Sequence, residues 1–238
     1  MTLTRLVGDI HGMFNDYRFY SLGIGREHMG PAAERSVQIG DFGIGFGRDK
    51  FDKNVDAWMK ENPNHRFIRG NHDNPAVVKK TAGYIPDGTI EGDVMFVGGA
   101  WSIDNPDAPP GWFKRTENVN WWADEQCSEE EFAKIIEDYK NLKPRVMITH
   151  DCPHEIAGQM FWGSGMLKGP RYPTLTGDMF QKMLEIHQPE FHFFGHWHIT
   201  MRYRSGNTTF VCLGELDHID IDLDDSNQIH DALAKKFS

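Results

Sequence analysis

Five times along this chain a short apolar run stops at a polar cluster that carries Asp, Asn or His. The run at residues 3–7 ends in Gly8-Asp9-Ile10-His11-Gly12, the run at 36–39 in Gly40-Asp41, and the run at 66–68 in Arg69-Gly70-Asn71-His72-Asp73. The run at 145–148 ends in Thr149-His150-Asp151, and the run at 191–194 in Gly195-His196-Trp197-His198. Short apolar runs bounded in this way read as buried strands. In α/β architectures functional groups gather at the carboxyl ends of strands. The five clusters are therefore expected to converge on one site.

The intervening segments supply the helices. Residues 13–22 and 51–61 read as helical, with a loop carrying Gly43, Gly45 and Gly47 between the second strand and the second helix. Pro75 suits the first turn of a helix after the third cluster. A strand at 94–97 runs into Gly98-Gly99-Ala100-Trp101 and a segment crowded with Pro, Trp and Asp. Ser128 with Glu131 makes a capping box that opens a helix to about residue 142. A Gly- and Pro-rich loop is expected over 158–173 and a helix over 176–187. Alternating strands at 200–204 and 208–213 flank a turn at Ser205-Gly206-Asn207, and a strand at 218–221 and a terminal helix follow. Strands alternating with helices indicate an α/β chain. Its 238 residues are read as one domain, 1–238.

The formal net charge of -10 lacks a basic footprint for nucleic acid, although bound cations can reverse the sign of a local site. Cys127, Cys152 and Cys212 form no CxxC pair and no disulfide framework. With no apolar leader and no run approaching a membrane span, the sequence points to a cytoplasmic protein without membrane contact.

The residue types in the clusters point to metal chemistry. In extended chain Asp9 and His11 face the same side, as do His196 and His198. Asp41 can cap a turn or bridge two ions, and Asn71 offers a neutral amide oxygen. His150 ends a strand of Val, Met and Ile. A mixed carboxylate, amide and imidazole set suits a dinuclear transition-metal centre better than a closed structural zinc site, which favours Cys.

Taken in order, Asp-x-His-Gly, Gly-Asp, Gly-Asn-His-Asp, His and Gly-His-x-His resemble the calcineurin-like metallophosphoesterases, a family that spans phosphoprotein phosphatases, nucleotide phosphodiesterases and nucleases. The resemblance runs over residues 9–198. It implies a four-layer α/β/β/α sandwich with two mixed β-sheets and a phosphoester hydrolase. It also implies two divalent metal ions, Mn²⁺ first among them, with Fe, Zn, Ni and Mg as alternatives. One ion falls to Asp9, His11, Asp41 and His198, and the other to Asp41, Asn71, His150 and His196. Such a pair readies water for in-line attack on phosphorus. His72 is then no ligand but the catalytic donor to the departing oxygen, and Asp73 its catalytic support. Asp73 and Asp151 either orient a histidine or close turns.

One departure bears on the substrate. The run Asp41-Phe42-Gly43-Ile44-Gly45 lacks the second Asp and the phosphate-gripping Arg of phosphoprotein phosphatases, though Arg69 is shared with that branch. Arg69, Arg48 and Arg171 are the substrate-binding candidates, with Lys168 beside them. The expected substrate is a phosphorylated small molecule, nucleotide or phosphoprotein, with a lean towards diesters and nucleotides. A Ser/Thr phosphoprotein phosphatase, a non-catalytic scaffold and a nuclease are the alternatives. Trp101, Trp112, Trp121 and Trp122 either stack a nucleobase or anchor the core.

Overall fold

The structure, a computed structural model, describes residues 3–25, 31–47, 53–108, 113–168 and 170–238. Their strands are β1 (Thr4–Val7), β2 (Ser36–Ile39), β3 (His65–Ile68), β4 (Thr89–Glu91), β5 (Val94–Val97), β6 (Val146–Thr149), β7 (Phe191–Phe194), β8 (Met201–Ser205), β9 (Thr208–Cys212) and β10 (His218–Ile221). They form a four-stranded sheet in the order β10-β1-β2-β3 and a six-stranded sheet in the order β4-β5-β6-β7-β9-β8. Both sheets are mixed. β1, β2 and β3 are parallel with β10 antiparallel at the edge. β5, β6, β7 and β9 are parallel, with β4 and β8 antiparallel at the two edges.

The side-chain period of a strand decides which face each residue joins. Leu6, Val37, Ile39 and Ile68 of the small sheet pack with Val94, Phe96, Val146, Ile148, Phe191, Phe193 and Val211 of the large one, so the two sheets lie face to face. The alternate residues Val7 and Phe67 point to the other side of the small sheet, among Tyr17, Val55, Met59 and Val78. Met95, Val97 and Met147 point to the other side of the large sheet, among Phe132, Ile135 and Phe180. Strands buried on both faces favour apolar residues throughout, which is why residues 94–97 and 146–148 read as unbroken apolar runs.

Helices supply the outer layers. α1 (Phe14–Asp16), α2 (Lys53–Glu61) and α3 (Pro75–Val78) cover the small sheet. α4 (Glu129–Leu142), α5 (His154–Ala157) and α6 (Leu175–Ile186) cover the large one. α7 (Ser226–Lys236) contributes Ile229 and Leu233 to the core between the sheets. The result is the four-layer α/β/β/α sandwich. The capping box is present: Ser128 Oγ accepts from Glu131 N at 3.2 Å, and Glu131 Oε2 accepts from Ser128 N at 2.8 Å.

Three local expectations differ. The helix over 13–22 is only α1 followed by a π-helical turn, Tyr17–Ser21, and Met13 provides no side-chain cap at its start. β4 is an unforeseen edge strand of three half-buried or exposed residues, too short and too polar to show an apolar run. The supposed loop over 158–173 opens with a π-helical turn, Gly158–Trp162, that continues α5. Arg48 and Trp112 lie outside the described residues. Among the described residues no helix is long and apolar enough to cross a membrane.

Candidate metal centre and active site

The carboxyl ends of β1, β2 and β3 meet those of β6 and β7. Asp9, His11, Asp41 and His198 each place one donor atom within 4.8 Å of the others there, and Asp41, His150 and His196 do the same. Asn71 joins the second set, with Oδ1 3.2 Å from His150 Nε2 and 3.1 Å from His196 Nδ1. Asp41 belongs to both. His196 and His198, two apart in sequence, part company: one serves each set.

The donor atoms fit divalent cations. Asp41 Oδ2 is buried without a hydrogen-bond partner, a costly state for a carboxylate oxygen unless a cation completes it. It lies 3.8 Å from His11 Nδ1. His11 Nε2 and His198 Nε2 face each other at 2.9 Å, and His198 Nε2 is 3.1 Å from Asp9 Oδ2. Oxygen and imidazole donors without thiolate suit transition ions such as Mn, Fe or Zn.

Local backbone makes this convergence possible. A Cβ at Gly70 would sit 2.1 Å from Asp41 Oδ1 and 2.6 Å from His150 Nε2, and one at Gly195 would sit 2.2 Å from Asp9 Oδ1. Neither position admits a side chain. Four donors adopt left-handed backbone: His11 at φ 46°, Asp41 at 57°, His196 at 67° and His198 at 53°. Such conformations concentrate where a site dictates geometry. His150 Nδ1 donates to Ile39 O at 3.0 Å, which turns Nε2 towards the centre, where a cation would displace its proton.

The electrostatics are those of a charged, dry cluster. Burial alone raises the Asp41 carboxyl, but His150 and His72 beside it hold it well below the usual carboxylate range. Burial disfavours a charged His150, yet the Asp41 carboxylate outweighs it and pushes the imidazole up to about 10. The hydrogen bond to Asp9 raises His198. A cation entering the centre thus replaces protons that the carboxylates hold on the histidines.

His72 stands at the edge of the centre. Its backbone N donates to Asp41 Oδ1 at 2.7 Å, and its ring stacks on Phe46 with centroids 4.5 Å apart. Arg115 Nη2 lies 2.7 Å from His72 Nε2. Its other arm, Nη1, donates to Ser102 Oγ at 2.9 Å, and Nε pairs with Asp104 at 2.6 Å. Ser102 Oγ also accepts from Asn71 Nδ2 at 3.0 Å and donates to Glu125 Oε2 at 2.6 Å. That hydroxyl therefore has all its valences filled and turns the Asn71 oxygen towards the histidines. Burial pushes the Glu125 carboxyl up to about 7 and lowers His72 to about 4. Arg115, Ser102 and Glu125 escaped the sequence reading. They sit in the Trp- and Pro-rich stretch after β5, which follows no motif.

Two of the expected site residues have their polar atoms engaged by the fold. Asp73 accepts four backbone N–H groups, from Phe42, Gly43, Ile44 and Gly70 at 2.7–3.0 Å. Its carboxylate ties the loop after β2 to the loop after β3, so its role is to close turns rather than to orient a histidine. Arg69 is 3% exposed and donates to Asp87, to the carbonyls of Asp124 and Glu125, and to Cys127 Sγ. Its fork is occupied inside the core. Asp151 Oδ1 accepts from Trp197 Nε1 at 3.0 Å and from Cys152 N at 2.8 Å.

A cleft of about 580 Å³ opens from the donor atoms. Asn71, His72 and His196 line one part of it, with Arg115 alongside. Trp101, Trp162, Tyr172 and Trp197 line another, and Arg171 lies exposed among them. Of the remaining tryptophans in the Trp-rich stretch, Trp122 is core, 5% exposed.

A sequence profile for calcineurin-like phosphoesterases matches residues 4–200. No curated protein matches the chain by sequence. Among solved structures, a phosphopantetheinyl hydrolase from Mycobacterium tuberculosis aligns at 13% identity and TM-score 0.46, over 90% of this chain and 90% of its own. A protein serine/threonine phosphatase from Saccharomyces cerevisiae aligns at 13% identity and TM-score 0.42, over 92% and 72%. A Staphylococcus aureus protein assigned as a 5′-nucleotidase aligns at 12% identity and TM-score 0.45, over 92% of this chain. The present chain spans 50% of that protein's length. With the profile covering most of the chain over the same strand ends that build the donor clusters, this protein belongs to the calcineurin-like phosphoesterases.

Proposed function

We propose that the chain hydrolyses small organic phosphoesters with two divalent cations, one held by Asp9, His11, Asp41 and His198 and the other by Asp41, Asn71, His150 and His196. The observation that carries this reading is Asp41, shared by both donor sets and buried with Oδ2 unpartnered. When bound, such a pair supplies activated water and neutralises charge on the phosphoryl oxygens.

The remaining work falls to side chains. The guanidinium of Arg115 opens onto the cleft beside the donor sets, where a phosphoryl oxygen would lie. While no phosphate is there, Arg115 donates to His72 Nε2 and keeps that ring neutral. A phosphoryl group that draws the guanidinium to itself frees Nε2 to carry a proton to the leaving oxygen. Asn71, turned by Ser102, keeps its amide oxygen on the second set.

Arg115 also alters the substrate preference read from the sequence. The second motif lacks a phosphate-gripping arginine, but Arg115, from a different segment, reaches His72 at the edge of the donor sets. A guanidinium beside the centre favours the dianionic phosphomonoester over the diester. Assay of an aryl phosphate and a bis-aryl phosphate with Mn²⁺, paired with elemental analysis, tests the reading. Turnover of the monoester with two bound equivalents is expected. A folded, metal-loaded sample that cleaves neither ester would sink it and favour a scaffold role.

A further inference from the structure

The cleft is larger than the chemistry needs. A phosphoryl group would need only its floor, yet the opening measures about 580 Å³, within the range of pockets that enclose a drug-sized molecule. Beyond the floor, Trp101, Trp162, Tyr172 and Trp197 contribute to its walls. Trp101, just after β5, and Tyr172, just before α6, pack against each other with ring centroids 5.7 Å apart. Both stay half-buried and border the cleft.

A third ring is held still. Trp197 stacks on Phe161 with centroids 4.6 Å apart and planes inclined by 19°, and its Nε1 donates to Asp151. It lies between His196 and His198 in the chain, so its position is fixed relative to both donor sets. Half-buried tryptophan and tyrosine faces beside a polar floor are suited to flat, amphipathic ligands.

We propose that this aromatic compartment receives the esterified group of the substrate, and that this group is a planar ring system, a nucleobase or an aryl ring. The assignment rests on the phosphoester hydrolase reading and adds the class of leaving group to it. A rigid wall discriminates by stacking, so a ring gains affinity there while a short aliphatic group gains none.

Non-scissile phosphonates test this on the metal-loaded enzyme without turnover. Calorimetric affinities of methylphosphonate, benzylphosphonate and the 5′-methylenephosphonate analogue of adenosine monophosphate are compared. Both aromatic probes are expected to bind at least about tenfold tighter than methylphosphonate. Trp101→Ala and Tyr172→Ala should each remove most of that advantage and leave methylphosphonate affinity unchanged. Trp101→Phe, which keeps a ring, should retain it. An adenosine analogue that exceeds benzylphosphonate identifies a nucleobase, and equal affinities identify a single ring. Equal binding of all three probes would overturn the proposal, as would variants that weaken all three alike. Phenyl phosphate turnover is recorded in parallel. Its absence with ring selectivity intact would count against the hydrolase reading and leave the compartment assigned.

Discussion

Arg115 Nη2 stands 2.7 Å from His72 Nε2, which couples a guanidinium from a motif-free stretch to the histidine of the third cluster. Arg115→Met should lower kcat/KM about 100-fold, the usual effect of losing one preorganised donor. Metal content should not change. Arg115→Lys should recover only part, because an ammonium cannot reproduce the fixed fork that reaches Ser102 as well. Steady-state kinetics with elemental analysis check both. Loss of a metal equivalent in Arg115→Met would show that the residue acts through Ser102 and Asn71 instead.

Arg69 gives the opposite expectation. Its removal leaves Asp87 and two carbonyls without their buried donor. Arg69→Met should destabilise the fold by about 3–5 kcal/mol, measured by urea denaturation. The folded fraction should keep its KM. A raised KM at unchanged stability would return Arg69 to the substrate.

How much of this was legible beforehand follows from how local each signal is. β2, β5, β7 and β10 could be bounded to the residue, and β5, buried on both faces, is apolar from end to end. The donors at Asp9, Asp41, His150 and His196 were visible because each directly follows such a run. Arg115 was not, because what makes it important is contact with residues far away in sequence, and no spacing encodes that. The partners of Arg69 and Asp73 were hidden for a related reason. Both residues sit within a motif, but their partners Asp87, Asp124 and the N–H groups after β2 lie elsewhere, and only the fold shows that their polar atoms are already engaged. The i, i+2 spacing pointed to the wrong geometry. His11 and His198 reach the centre through left-handed turns rather than an extended chain.

Asp41→Asn isolates the shared ligand. The amide keeps the shape of the side chain and can still accept from His72 N, but it lacks the charge common to both donor sets. Dialysed against micromolar Mn²⁺, the variant should hold less than one metal equivalent, and turnover should fall by about a thousandfold or more. Retention of one full equivalent would mean that Asp41 serves a single ion.

Acid sensitivity should carry the signature of His192 in β7. Burial lowers this imidazole to about 3, and its Nε2 lies 2.7 Å from Thr149 Oγ1. In the unfolded chain the ring titrates near pH 6.5, so as pH falls the unfolded state gains the proton first. The contribution of neutral His192 is complete above about pH 6.5 and is lost as pH drops towards 3, at up to about 1.4 kcal/mol per pH unit. Urea midpoints between pH 6.5 and 4 should decline more gently in His192→Gln. Parallel declines in both proteins would place the acid sensitivity in other groups.

The left-handed backbone at His11 and His198 reverses the customary ranking of replacements. At an ordinary position glycine is less stable than alanine, because it loses more freedom on folding. Here alanine keeps a Cβ in a conformation that disfavours one, by about 1 kcal/mol, and glycine does not. His11→Gly should therefore melt above His11→Ala, and His198→Gly above His198→Ala. The fold itself winds the backbone at both positions into the coordinating arrangement, so little disorder would remain to be lost on binding an ion.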